Sequence, residues 1–104
     1  MKPLSFVGSS LDDLRDFPAA ARHAIGVELM RVQFGGAPTD FKPLKEVGSG
    51  AYELRVHLDG AWRVIYVAKR EKAIYVLHAF QKKTRKTARS DIELAARRYK
   101  LIGG

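Results

Sequence analysis

The chain contains no cysteine, and no apolar run approaches the roughly 20 residues that a membrane-spanning helix needs. Without cysteine, disulfides and thiolate metal sites are excluded, and the composition suits a reducing compartment. The opening residues Met1-Lys2-Pro3 do not lead into an apolar signal-peptide core with a small-residue cleavage site. We therefore expect a cytoplasmic protein that has no membrane partner.

Carboxylates are scarce in the second half of the chain. Residues 1–51 hold six cations and six carboxylates, whereas residues 52–104 hold thirteen cations and five carboxylates, so the whole excess of +8 lies there. Clustered cations gain affinity for a polyanion because they release condensed counterions from its phosphates. This segregation favours a nucleic-acid partner, with a solvated basic face that only aids solubility as the alternative.

The first third of the chain predicts a short strand and two helices within a single domain, residues 1–104. Residues 3–7 are apolar and end in Gly8-Ser9-Ser10, which favours a strand followed by a helix N-cap. Pro18 suits the first position of a second helix, and Gly35-Gly36 ends it. Apolar residues at helical spacing lie between these limits, at Ala21, Ile25, Leu29 and Val32.

From Lys42 onward the apolar period changes to two. Four strand candidates follow, at residues 44–47, 52–58, 61–68 and 73–80. A last helix is predicted to open at Ser90-Asp91-Ile92-Glu93, which is a capping-box pattern. We predict an α+β fold, an antiparallel sheet of four or five strands with helices on one side, comprising an N-terminal helical hairpin and a C-terminal helix.

Strand alternation places Arg55 and His57 on the face opposite the aliphatic core. A three-residue turn at 59–61 predicts that Arg63 lies opposite His57, and the next loop predicts that it lies opposite His78. A two-residue turn would instead bury Arg63 among leucines, which its charge disfavours. The predicted basic face collects Arg55, His57, Arg63, His78, Phe80 and Lys82, and the basic segment 83–89 leaves from its edge.

The residue types on this face suit single-stranded RNA. Arg55 and Arg63 can clamp phosphates with forked hydrogen bonds, and Phe80 can stack on a splayed base, although it fits a core aromatic equally well. His57 or His78 can exchange protons near neutral pH. Both histidines fit ordinary strand positions as well as catalytic ones.

This face has no carboxylate cluster for magnesium, so we expect no metal and no other cofactor. RNA supplies its own nucleophile, the 2′-hydroxyl, and the protein must supply a base, an acid and cations for the phosphate. A lysine surrounded by other cations, such as Lys82 or Lys83, can have its pKa lowered enough to take part. Lys83, Arg85 and Lys86 are expected to contact phosphates or to remain solvated.

Three segments carry a family resemblance: Tyr52-Glu53-Leu54-Arg55, Trp62-Arg63-Val64-Ile65-Tyr66 and His78-Ala79-Phe80-Gln81-Lys82-Lys83-Thr84. Together with the element order, they resemble the RelE/HigB toxin superfamily, and more narrowly its phage-derived HigB-like branch. The resemblance covers nearly the whole chain. It implies the toxin of a type II toxin–antitoxin pair, which cuts ribosome-bound mRNA without metal, leaves a cyclic phosphate and is neutralised by a small antitoxin.

The resemblance also implies roles for individual residues. Arg63 matches a phosphate- or transition-state-binding arginine, Arg55 a basic position on the preceding strand, and Lys82 a cation that stabilises the leaving group. Glu53 falls where RelE itself has a lysine, and no tyrosine closely follows Lys83, so the general base is unassigned. The expected catalytic set is Arg55, Arg63, His78 and Lys82, and the expected RNA-binding set is His57, Phe80, Lys83, Arg85 and Lys86. The expected partners are the cognate antitoxin, mRNA and the ribosome.

Two other functions fit the same residues. One is a non-catalytic basic module of phage origin, which would bind RNA or DNA in a salt-dependent way without cleaving it. The other is an interaction protein whose basic groove receives an acidic segment of a partner, a function that is compatible with the toxin interpretation.

Overall fold

The computed structural model describes residues 1–103 and contains five strands and three helices in them. In chain order these are β1 (Leu4–Phe6), α1 (Ser10–Arg15), α2 (Ala19–Gln33), β2 (Phe41–Pro43), β3 (Ala51–His57), β4 (Ala61–Val67), β5 (Ile74–Gln81) and α3 (Arg89–Leu101). The predicted α+β class, the two N-terminal helices and the C-terminal helix are confirmed. Among these residues no helix is both long enough and apolar enough to cross a bilayer.

The sheet has the order β1-β5-β4-β3-β2 and is mixed. The four strands β2 to β5 pair antiparallel, but β1 runs parallel to β5, so the prediction of a purely antiparallel sheet is wrong. β1 pairs with the strand most distant from it in sequence, and no hairpin turn forces the two to run in opposite directions. β1 is therefore an edge strand whose neighbour is the last strand of the chain.

The predicted strand at 44–47 is also wrong, because the edge strand β2 ends at Pro43. The Val47 N–H donates to the Leu44 carbonyl at 3.0 Å, which makes these residues a turn. Leu44 and Val47 are both buried on the side of the sheet that α3 covers. The three-residue spacing of Leu44 and Val47 therefore reflects a turn that places both side chains in the core, and not the alternation of a strand.

Helices cover both faces of the sheet, which corrects the prediction that they lie on one side. Ile25 and Leu29 of α2 pack with Leu54 and Val64 on one face, together with apolar side chains of α1. On the other face α3 contributes apolar residues to a second core, which it shares with strand and turn residues: Leu44, Val47, Ala51, Ile65, Val67, Leu77, Phe80, Ile92 and Ala95. Because α3 covers the face predicted to be basic, it decides which of those charges reach solvent.

The register between β3 and β4 differs from the prediction, although the faces of these two strands agree. β3 and β4 are joined by Leu58-Asp59-Gly60, in which Asp59 has φ +50° and Gly60 has φ +146°. Arg63 consequently lies opposite Arg55, two residues from the predicted His57. A shift of two residues keeps every side chain on its own face, because side chains alternate with a period of two.

Between β4 and β5, Arg63 pairs with Phe80, so the predicted pairing with His78 is also wrong. His78 pairs with Ile65, and an irregularity follows directly, since Tyr66 pairs with Val76. Leu77 is therefore the extra residue of a bulge, which a count of loop residues does not reveal.

Two glycines provide a test of the packing of α3. A Cβ at Gly48 would lie 2.5 Å from the Tyr99 ring, whereas a Cβ at Gly26, in the exposed middle of α2, would meet nothing within 4 Å. We expect Gly48→Ala to lower the free energy of unfolding by about 1–3 kcal/mol through overpacking. Gly26→Ala should raise it by about 0.5–1 kcal/mol, because alanine is the better helix former. Urea denaturation measures both, and a Gly48→Ala protein as stable as the parent would contradict this packing of Tyr99.

Candidate nucleic-acid interface

Nine residues of β3, β4 and the end of β5 form three rows across one face of the sheet. The inner row is Glu53, Ile65 and His78; the middle row is Arg55, Arg63 and Phe80; the outer row is His57, Ala61 and Lys82. Lys82 joins the outer row because its N–H donates to the Ala61 carbonyl at 2.7 Å. All six residues predicted to share a basic face therefore do share one.

Exposure rises from the inner to the outer row. All three inner residues are buried, and Arg63 and Phe80 of the middle row are buried too. The Arg55 side chain is 27% exposed and that of His57 is 63% exposed. A ligand that approaches this face first meets the outer row and Arg55.

Glu53 lies at the centre of an ionic cluster. Its carboxylate is completely buried, and its Oε1 lies 3.5 Å from Arg55 Nε, 3.8 Å from Arg63 Nε and 4.0 Å from Lys42 Nζ. Its Oε2 accepts a hydrogen bond from the Thr87 hydroxyl at 2.5 Å. A buried carboxylate is tolerated only when it is paired and hydrogen-bonded in this way. We call Glu53, Lys42, Arg55, Arg63, Lys82 and Thr87 the Glu53 cluster.

Arg63 is held inside the protein by this cluster. It is 3% exposed, and its Nη1 donates to the neighbouring Trp62 carbonyl. Its Nε has no hydrogen-bond partner among the described residues and faces Glu53 at ion-pair distance. Burial lowers the pKa of Arg63, and the Glu53 carboxylate opposes that shift. The prediction placed Arg63 on the correct face but did not foresee that this face is covered at that point.

Arg55 connects the buried Glu53 to a second, more exposed carboxylate. Its Nη1 lies 3.6 Å from Asp40 Oδ1, while its Nε faces Glu53. His57 Nε2 lies 3.9 Å from the other oxygen of Asp40. The Asp40 backbone is fixed here because its carbonyl accepts from the Arg55 N–H. Arg55 and His57 are therefore neighbours on the open side of the cluster.

Lys82 adds a fourth cation to the cluster. Partial burial and then the charge of Arg63 lower the pKa of Lys82, and Glu53 opposes that shift. Four cations face two carboxylates, Glu53 and Asp40, which leaves an excess of two positive charges. Such an excess favours the binding of an anion.

His78 and Phe80 are both buried and contact each other and α3. The His78 Nε2 lies 2.7 Å from Asp91 Oδ1 at the start of α3, and its ring stacks on Phe80 with centroids 4.7 Å apart. Asp91 thus bonds to His78 and does not cap its own helix, which begins at Arg89 without a side-chain cap. The capping-box prediction is wrong because Ala88 is the N-cap residue and Ser90 already lies inside the first turn of α3.

Residues 82–88 leave the sheet and lead into α3. Lys83, Arg85 and Lys86, all predicted to contact RNA, are exposed. Thr87 is buried and points back to Glu53. The segment therefore presents its charges to solvent while it is attached to the cluster by one hydroxyl.

The family comparison agrees with the resemblance in the sequence. The family model described as phage derived protein Gp49-like (DUF891) matches residues 12–100. The chain belongs to this family. The Gp49-like proteins are of the RelE/HigB-like toxin type, which implies an antitoxin as partner. No curated protein matches the chain.

The sequence analysis missed several residues of this Gp49-like site. Lys42 lies opposite Glu53 on β2, but the strand was predicted at residues 44–47, beyond Lys42. Asp40 lies outside every predicted element, and Thr87 carried no pattern of its own. Glu53 was noted only as a departure from the lysine of RelE. Within residues 1–103 no three carboxylate or imidazole side chains group as metal ligands.

The contact between His78 and Asp91 gives a stability prediction for the Gp49-like protein. Asp91→Ala should lower the free energy of unfolding by about 1–3 kcal/mol, because it leaves a buried imidazole nitrogen without its partner. Asp12→Ala is the matched control, since Asp12 is also an acidic residue in the first turn of a helix but is exposed. Chemical denaturation checks the difference. Equal stability of the two variants would contradict the structural role of this pair.

Proposed function

We propose that this Gp49-like protein is a ribosome-dependent mRNA endonuclease of the HigB-like branch, acting as the toxin of a type II toxin–antitoxin pair. The observation that carries the proposal is the Glu53 cluster, in which four cations, Lys42, Arg55, Arg63 and Lys82, outnumber the nearby carboxylates of Glu53 and Asp40. Its excess positive charge matches the phosphate at which the RNA chain is cut, where negative charge develops in the transition state.

The reaction needs no nucleophile from the protein, because the 2′-hydroxyl of RNA attacks the adjacent phosphorus. A base removes the hydroxyl proton, the P–O5′ bond breaks, and an acid protonates the leaving 5′-oxygen, so that a cyclic phosphate remains. Arg55 is the accessible guanidinium for the phosphate oxygens. Lys82, whose pKa is lowered, is the cation that stabilises the leaving 5′-oxygen.

His57 is the imidazole that we assign to proton transfer. Its side chain is exposed beside Arg55, whereas His78 is buried against Asp91 and Phe80. Arg63 is 3% exposed in the resting structure, so Arg55 is the guanidinium that meets the phosphate first. Lys83, Arg85 and Lys86 guide the RNA backbone toward the cluster by their exposed charge.

A non-catalytic RNA-binding module is the second candidate, and the burial of Arg63 and His78 favours it. Both candidates use the same cations and bind RNA in a salt-dependent way. They differ on translating ribosomes, where only the endonuclease produces new mRNA 5′ ends. For the endonuclease the expected partners are mRNA, the ribosome and an antitoxin that covers the basic face.

The toxin function is tested by induction in a bacterial host. Arg55→Ala and Lys82→Ala should each abolish growth arrest, because loss of one charge at the transition state costs about 10²–10³ in rate. Both side chains are partly exposed, so these variants disturb folding less than a change at buried Arg63. Arg22→Ala is the matched control, because it removes one positive charge from an exposed position of α2. This variant should arrest growth as the parent does. Mapped mRNA 5′ ends give the readout.

If Arg55→Ala and Lys82→Ala remain as toxic as Arg22→Ala with the same 5′ ends, the assigned site is wrong. If no new 5′ ends appear with any folded variant or with the parent, the non-catalytic candidate replaces the endonuclease.

The lowered pKa of Lys82 predicts a pH dependence of RNA binding. A lysine whose pKa is lowered loses its proton at a lower pH than ordinary lysines, so the affinity should fall as the pH rises toward 10, the usual lysine range. Lys82→Arg should bind with less change over the same range, because arginine stays charged. Lys69→Arg, an exposed loop change, is the matched control. Identical pH curves for all three proteins would exclude Lys82 from the binding site.

A further inference from the structure

The segment 82–88 is attached to the cluster by one buried residue. Lys83, Thr84, Arg85 and Lys86 are exposed, and Thr87 is buried with its hydroxyl on Glu53 Oε2. At its start the segment is bonded to the sheet by the Lys82 N–H, and at its end the Ala88 carbonyl accepts from the first turn of α3. The Thr87 hydroxyl therefore closes this segment over the cluster.

Glu53 serves two groups of partners at once. Its Oε1 faces the Nε atoms of Arg55 and Arg63, and its Oε2 accepts from Thr87. The guanidiniums are consequently drawn toward the interior, and the Arg63 Nε is near a carboxylate without a hydrogen bond to it. An anion that offers Arg55 and Arg63 better geometry can replace Glu53 as their partner.

We propose that the Glu53 carboxylate takes the place of the RNA phosphate in the resting protein and neutralises Arg55 and Arg63. Through its hydrogen bond from Thr87 it also holds residues 82–88 against the cluster, and we call this contact the latch. A phosphate that pairs with the two guanidiniums replaces Glu53 and releases the latch. The inference depends on the proposed phosphate site but does not depend on cleavage. By linkage, whatever opens the latch must tighten the binding of the phosphate by the same factor.

The linkage fixes the sign of each substitution. Glu53→Gln removes the competing negative charge and should tighten binding about tenfold, because one unit charge about 4 Å from a cation has an effect of this order even in well-screened surroundings. Thr87→Val removes the hydroxyl without changing the charge and should also tighten binding. A role in folding alone predicts the opposite sign, weaker binding by both variants.

The probe is a fluorescent 2′-O-methyl oligoribonucleotide, which lacks the attacking hydroxyl, with affinity measured by anisotropy. Thr87→Ser keeps the hydroxyl and should bind as the parent does. Thr84→Val is the matched control in the same segment, since the Thr84 hydroxyl donates to the Lys86 carbonyl and not to Glu53. The double variant Glu53→Gln, Thr87→Val should bind no more tightly than Glu53→Gln alone, because both changes open one latch.

The rate of trypsin cleavage of the free protein measures how often the latch opens in the absence of RNA. Thr87→Val should be cut after Lys83, Arg85 or Lys86 about tenfold faster than the parent and Thr84→Val, since a hydrogen bond to a buried charge is lost. If Glu53→Gln does not fold, the Thr87 variants still decide the proposal.

Three results separate the claims. A parent that binds the oligoribonucleotide and produces new mRNA 5′ ends on induction, with Thr87→Val binding more weakly or being cut no faster, overturns the latch alone. A parent that binds the oligoribonucleotide but produces no new mRNA 5′ ends on induction, with the predicted gains in affinity, supports the latch and overturns the endonuclease. A parent that does not bind the oligoribonucleotide overturns the latch, and the mapped 5′ ends then decide the endonuclease separately.

Discussion

The burial of the Glu53 carboxylate constrains the basic half of this protein. Moving a carboxylate out of water costs several kcal/mol, and only closely placed cations and donors offset that cost. Lys42 from β2, Arg55 from β3, Arg63 from β4 and Thr87 from the segment before α3 all supply such contacts. One buried charge thus ties together elements that are distant in sequence.

The surrounding fold keeps this arrangement in place and limits access to it. α3 covers the inner end of the basic face, where its apolar residues form the second core with the sheet. Asp91 of α3 contacts His78 on β5 and so holds the helix there. The outer end remains open at His57, Arg55 and Lys82. The same face therefore has an apolar, rigid half and a charged, accessible half, and a polyanion can reach only the second.

Alternation along the strands was enough to predict that the six residues of the basic face lie together, because a register error of two residues leaves the faces unchanged. The pairing itself could not be predicted. It depends on the left-handed conformation of Asp59 between β3 and β4, and on a bulge at Leu77. The burial of Arg63 was missed because α3 and Thr87, both distant in sequence, pack on the same face, and no local pattern encodes how a distant segment packs.

The central claim is that the guanidiniums of Arg55 and Arg63 bind the RNA phosphate, and their Nε–H resonances test it most directly. In a titration with the 2′-O-methyl oligoribonucleotide, both resonances should shift together, while those of Arg15 and Arg22 on the opposite side of the sheet stay unchanged. Binding that leaves the Arg63 resonance in place, or that shifts only arginines outside the Glu53 cluster, would contradict the account.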